Sequence, residues 1–249
     1  MNWKRYIPNT LTTLNLASGL ISVLQVMEGE LVTAAWFIFL AAVFDFLDGV
    51  AARVLDARSE LGKQLDSLAD LVSFGVAPGL ILFRLLSIGC EGSCNVLERL
   101  HITPYFALLI PVCSAFRLAK FNIDLTQELH FSGLPTPANA LFFASIPLVL
   151  FIQTNSFSLI PVDFFFSFFS NTRVLAILSV LFSYLLISDF RMFSMKFRHF
   201  RWKGNEMRLL FLILALAYLI LFSVGAVPLI ILTYIVLSLF FQKKIQREF

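Results

Sequence analysis

The chain has 249 residues, 59% of them apolar and only 14% charged, against roughly 25% charged in an ordinary soluble domain. Its mean hydropathy is +0.85, and 29 of its residues are phenylalanine. These values exclude a soluble globular enzyme and predict an all-α polytopic membrane protein, with no soluble domain of useful size between its apolar segments.

Eight transmembrane spans are expected in chain order. They run from about Pro8 to Met27, Leu31 to Ala52, Leu65 to Ile88, Pro104 to Phe121, Pro137 to Ile152, Val174 to Asp189, Met207 to Val224 and Val227 to Phe241. The last two form a tight hairpin around Gly225. The first is too long and too polar for a cleavable signal. Within it, Asn15 and Gly19 lie four apart, a spacing that suits helix packing and also a contact to a bound nucleotide or lipid. All but Arg84, Arg99 and Arg173 of the 19 lysines and arginines fall on one side of these spans. The positive-inside rule makes that side cytoplasmic, together with both termini.

Two stretches of the second and third spans carry the chemistry. Asp45, Asp48, Gly49 and Ala52 are related by three- and four-residue steps, so a helix puts them on one stripe. Gly62, Asp66 and Asp70 make a second stripe, and the polar link from Val54 to Leu61 lets the two helices turn back antiparallel. One Asp at the centre of a membrane helix costs about 2.5–3.5 kcal/mol, so four unpaired ones cost roughly 10 or more. Clustered carboxylate oxygens suit hard divalent cations, and Mg²⁺ in particular is held by a few carboxylates together with substrate phosphates. Two such ions can clamp both sides of a displacement at phosphorus. Gly49, Ala52 and Gly62 leave room for a base or pyrophosphate at the backbone, and Arg53 supplies a cation suited to phosphate.

The pattern D-x2-D-G-x2-A-R-x8-G-x3-D-x3-D resembles the signature of the CDP-alcohol phosphotransferase family, with every fixed position filled. The resemblance implies a six-helix membrane core over residues 1–190, followed here by a basic loop (191–206) and a two-helix hairpin with a basic tail (207–249). It implies a divalent cofactor, Mg²⁺ or Mn²⁺ and two ions, held by Asp45, Asp48, Asp66 and Asp70. It also implies a CDP site lined by Asp48, Gly49, Ala52, Arg53, Gly62 and Asp66, with Asp70 as the base that deprotonates the acceptor alcohol. Segments 70–78, 117–122 and 133–137 are similar to those of the integral-membrane phosphatidylserine synthases, which make phosphatidylserine and CMP from CDP-diacylglycerol and L-serine. Lys120 departs from that pattern, which has Arg there. A bacterial inner membrane is the location this implies, with the acids facing the cytoplasm. Glycerol phosphate or inositol phosphate is the alternative acceptor. A transporter is the alternative class, and it predicts inverted repeats that the sequence does not display.

Several further segments have expected roles. Pro78 and Gly79 should kink or loosen the third span, opening a cavity above the acids. Cys90 and Cys94 could form a small disulfide in an oxidising compartment. Cys113 reads as a packed small residue. Arg117 and Lys120, three apart at the end of the fourth span, suit either snorkelling anchors or an anion pocket for a phosphate or an amino-acid carboxylate. Thr136 and Pro137 mark a helix start. Asp163–Phe169 reads as an interfacial aromatic segment. The loop from Arg191 to Arg208 has six basic residues among aromatics, and beside a bilayer it suits anionic lipid heads rather than nucleic acid. A homodimer is left open.

Overall fold

The computed structural model describes residues 6–57, 59–90, 102–123, 133–152, 163–190, 192 and 206–240. Cys94 and most of the basic loop therefore lie outside the described residues. Those described are helical, without a strand. In order, the elements are α1 (Tyr6–Glu28), α2 (Leu31–Val54), α3 (Glu60–Asp70), a π-helical segment (Leu71–Val76) and α4 (Ala77–Cys90). A 3₁₀ turn (Thr103–Leu108) leads into α5 (Leu109–Ile123). It is followed by α6 (Thr136–Ile152), α7 (Asp163–Phe169), α8 (Thr172–Ile187), α9 (Glu206–Phe222) and α10 (Ala226–Phe240). Tyr6–Glu28, Leu31–Val54, Glu60–Gly89 and Thr103–Ile123 are each long and apolar enough to cross a membrane, and four shorter apolar helices accompany them. Large apolar side chains such as Met27, Trp36, Val43, Ile177 and Ile220 point outward, as an integral membrane protein bathed in lipid tails requires.

Each expected span corresponds to a helix among the described residues, with ends shifted by a few residues, but the third is longer than its apolar run. It starts at Glu60 rather than Leu65 and continues through the π segment to Cys90. In that segment the Ala77 amide reaches the Val72 carbonyl, five residues back. Pro78 follows directly; it has no amide to donate, and in a regular helix its ring would crowd the carbonyl four residues earlier. The wider turn accommodates it, which is the loosening that Pro78 predicts. The space directly beside Gly79 is filled, for a Cβ there would meet Pro111 Cδ at 2.8 Å. Its smallness serves close approach of α5. The last hairpin turns at Gly225 as expected, through a short 3₁₀ turn over Ser223–Gly225 in which Ser223 (φ 50°) takes the left-handed backbone.

The small and polar residues of α1 decide how the site end is built. Pro8, Thr12, Asn15, Gly19, Ser22 and Val26 are buried at alternating four- and three-residue steps, and α1 packs along both α2 and α3 on that stripe. Ser22 Oγ donates to the Ala34 carbonyl at 2.8 Å, across an α2 face of Ala34, Ala35, Ile38 and Ala41 that is wholly buried. Small residues give such close membrane-helix contacts. Gly29 (φ 86°) ends α1: its amide reaches Val26 O and that of Glu30 reaches Gln25 O, a Schellman closure that needs a left-handed residue. The same pair of bonds ends α2, from Asp56 to Arg53 O and from Ala57 to Ala52 O, with Asp56 at φ 49°. Ser59 then caps α3, accepting the Gly62 amide at 3.1 Å.

Behind this layer, α6 is buried on nearly every side, and Phe142 and Phe143 pack on Phe182 of α8 at ring distances of 4.2 and 5.3 Å. A helix apolar all round belongs at the centre of a bundle. It begins at Thr136, and α10 packs against it.

Gly19 faces Ser73 of the π segment, and a Cβ there would come within 2.8 Å of Ser73 Cα. Backbone cannot swing aside as a side-chain tip can. Gly19→Ala is expected to destabilise the fold by about 1–3 kcal/mol, read as a lower unfolding temperature of the purified protein in detergent; an unchanged temperature would show that α1 and the π segment separate freely.

Candidate active site

Four carboxylates converge between α1, α2 and α3. The last turns of α2 present Asp45 and Asp48, and α3 presents Asp66 and Asp70. Ligand oxygens of Asp45, Asp48 and Asp66 all lie within 4.8 Å of one another. Asp48 is buried, and Thr12 Oγ1 lies 2.7 Å from its Oδ2. The Thr12 hydroxyl is also 3.0 Å from Pro8 O; having one proton, it donates to one of the two at a time. Asp70 sits one turn further along α3, outside the triad. It is buried against α1, where Asn15 Nδ2 donates to its Oδ1 at 3.1 Å, and it still feels the charges of Asp45, Asp66 and Asp48.

This donor set fits a hard divalent cation. Oxygens around one Mg²⁺ at about 2.1 Å are spaced roughly 3–4 Å apart, so small side-chain rotations close the triad on an ion. Asp66 Oδ1 is buried with no hydrogen-bond partner among the described residues, which is how a ligand atom awaiting its ion would look.

The small residues of the motif divide into two kinds. Beside Gly49, none of the described residues comes within 4 Å of where a Cβ would stand. Gly62 is enclosed: a Cβ there would meet Ser59 Oγ at 3.0 Å and Asn9 Oδ1 at 3.2 Å. Ala52 is half-buried, and Arg53 is exposed with its Nε donating to Gly49 O at 2.8 Å.

The family described as CDP-alcohol phosphatidyltransferase matches residues 5–185. The chain belongs to the CDP-alcohol phosphatidyltransferase family. A Bacillus subtilis protein named CDP-diacylglycerol–serine O-phosphatidyltransferase is 34% identical over 205 residues, covering 81% of this chain and 94% of that protein. A Mycobacterium leprae protein of the same name is 37% identical over 54% of this chain and 44% of its own length. An archaetidylserine synthase of Methanothermobacter thermautotrophicus is 33% identical over 63% of this chain and 64% of its own length.

In this CDP-alcohol phosphatidyltransferase the two cations suggested for an anion pocket are engaged by α8. Arg117 Nη1 donates to the Leu186 carbonyl at 3.1 Å, near the end of α8 where carbonyls are left without amide partners. Gly133 (φ 73°) lies over it, and a Cβ there would meet Arg117 Nη1 at 2.6 Å. Lys120 pairs with Asp189 at 2.7 Å, both well exposed. Such an exposed pair contributes little stability but fixes the end of α5 beside that of α8. The same end of α5 touches α3, where Asn122 and Ser67 bond each other at 2.9 Å and Lys63 Nζ reaches Asn122 O at 3.3 Å. Thr12 went unread in the sequence, although it lies three residues before Asn15 on the same stripe.

Thr12→Val keeps the shape of that side chain and removes the bond to Asp48. Affinity for Mn²⁺ is expected to fall about 10- to 100-fold, measured by spectroscopic titration of free Mn²⁺ against the purified protein. Unaltered affinity would mean that Asp48 holds its rotamer without the hydroxyl.

Proposed function

We propose that the protein transfers the phosphatidyl group of CDP-diacylglycerol to the hydroxyl of L-serine, releasing CMP and phosphatidylserine. The observation that carries this reading is the convergence of Asp45, Asp48 and Asp66 within 4.8 Å beside the open backbone at Gly49. Family membership gives the reaction class. Serine as acceptor rests on the relatives named for it, of which the Bacillus subtilis protein is matched over 94% of its length, and on the similar segments at 70–78, 117–122 and 133–137.

In the reaction, the serine hydroxyl oxygen bonds to the phosphatidyl phosphorus while the bond from that phosphorus to the bridging oxygen breaks. Asp70 takes the hydroxyl proton, and CMP carries away the electron pair of the broken bond. Asp45, Asp48, Asp66 and, from one turn deeper, Asp70 would hold two divalent ions, Mg²⁺ or Mn²⁺. When bound, these supply neutralisation of the diphosphate and alignment for in-line attack. Asp48, Gly49, Ala52, Arg53, Gly62 and Asp66 line the nucleotide. Gly49 lets it lie against the helix, while Gly62 contributes by bringing Asn9 of α1 close. Arg117 and Lys120 sit at the joined ends of α5 and α8 as the anion-holding side of the acceptor pocket. Residues 1–190 form the catalytic core and 207–249 an added hairpin. The site opens to the cytoplasm of a bacterial inner membrane, the side on which the basic residues gather.

The test uses membranes or proteoliposomes containing the full chain with CDP-diacylglycerol, Mn²⁺ or Mg²⁺ and labelled serine. Labelled phosphatidylserine is expected, its formation abolished by EDTA and restored by excess metal. Turnover only with another alcohol would reassign the acceptor and leave the chemistry standing. Asp70→Asn is expected to slow turnover about 100- to 10,000-fold, the usual share of a general base, with CDP-lipid binding retained. A near-normal rate in that variant would remove Asp70 from the base role.

A further inference from the structure

We infer that Asn15 of α1 is a positioning residue for Asp70, holding the carboxylate in the one orientation from which it can take the acceptor's proton. The inference rests on the proposed role of Asp70 as base. Asn15 is fully buried, and its Nδ2 lies 3.1 Å from Asp70 Oδ1. The direction of the amide is set by chemistry: turned over, it would place its carbonyl oxygen against a carboxylate oxygen, two acceptors face to face.

A second observation separates this role from ordinary helix packing. The amide's other end, Oδ1, is buried with no partner among the described residues. An asparagine that serves only to join helices gains by satisfying both ends, whereas a buried acceptor left without a donor costs free energy. Packing is already secured on either side of it. Ser73 Oγ donates to the Asn15 backbone carbonyl at 3.0 Å, Gly19 brings the π segment against α1, and Ser22 ties α1 to α2. The Asn15 side chain adds to these a single bond, and that bond ends on Asp70. Meanwhile Asp70 closes α3 at the start of the π segment. Its backbone is thus held from one side by the widened turn and its side chain from the other by Asn15.

The test compares four variants of the full-length protein in proteoliposomes: Asn15→Ala, Asn15→Leu, Ser22→Ala and Asp70→Asn. Asn15→Leu keeps a side chain of similar shape that favours the helix, should the alanine variant fail to fold. Ser22→Ala removes an interhelical bond of the same α1 stripe away from the acids. Expected for both Asn15 variants is a fall in kcat of about 10- to 100-fold at saturating Mn²⁺, with KM for CDP-diacylglycerol within about two-fold of the parent. Ser22→Ala should lower the unfolding temperature while leaving kcat within about two-fold. A parental kcat in Asn15→Leu while Asp70→Asn is inactive would reduce Asn15 to packing and overturn the inference. A kcat that returns to the parental value once Mn²⁺ is raised would overturn it too, by assigning Asn15 to metal affinity alone. An active Asp70→Asn variant would instead remove the reading on which the inference stands.

Discussion

Repulsion among carboxylates is the interaction around which this protein is arranged. At an effective dielectric of about 20, two unit charges 4.8 Å apart repel by roughly 3.5 kcal/mol, and the triad of Asp45, Asp48 and Asp66 contains three pairs at that separation or closer. A hydrogen bond to a charged group returns about 1.5–3 kcal/mol, and the triad has one such bond from another helix, from Thr12. The bond does not balance the repulsion. A divalent cation does, because each carboxylate then trades two repulsive neighbours for a doubly charged attractive one. The buried oxygen of Asp66, without a hydrogen-bond partner among the described residues, is a donor atom that could serve such an ion.

Bringing the acids together requires that the helices carrying them be fixed at the site end, and α1 does this. The two turns on either side of α2 are closed by the same backbone device, using Gly29 in one case and Asp56 in the other. With both ends of α2 defined, the phase of Asp45 and Asp48 relative to α1 follows. Ser59 sets the start of α3, and the π segment sets its end. One extra residue in that turn lets the helix change phase between Asp70, which must face α1, and the apolar face of α4, which must pack into the core around Ile81, Leu82 and Leu86. Position of the acids and tolerance of Pro78 are therefore two consequences of a single local distortion.

Most of this was legible in the sequence wherever periodicity alone decides the outcome. The acids announced themselves because charge in an apolar helix is costly and because steps of three and four residues put them on shared faces. The eight apolar runs likewise became helices, since a membrane offers the backbone little else. What escaped was whatever depends on a partner from a distant part of the chain. A threonine in a membrane helix ordinarily bonds back to its own helix, as Thr12 does to Pro8, and nothing local discloses that the same hydroxyl also meets Asp48. Arg117 and Lys120 read as either anchors or an anion pocket, and their bonds to the carbonyl of Leu186 and the carboxylate of Asp189 went unseen because those groups lie 69 residues away in sequence. The close packing of Gly79 was not legible either, because the ring of Pro111 that fills the space beside it belongs to another helix.

Glycine shows how far a residue type can be read without its surroundings. Inside a helix it costs roughly 0.5–1 kcal/mol relative to alanine, so each one kept there needs a return. At Gly19, Gly75 and Gly79 the return is packing: a Cβ would strike Ser73, Ser114 or Pro111, and without those glycines the helices around the acids would separate. At Gly62 it is the approach of Asn9. Gly49 has no such neighbour, and its helical backbone rules out the conformational reason that accounts for Gly29. Four of these positions are spent on the protein itself. At the fifth, one residue after Asp48, none of the described residues comes within 4 Å of where a Cβ would stand, so packing against them does not account for it.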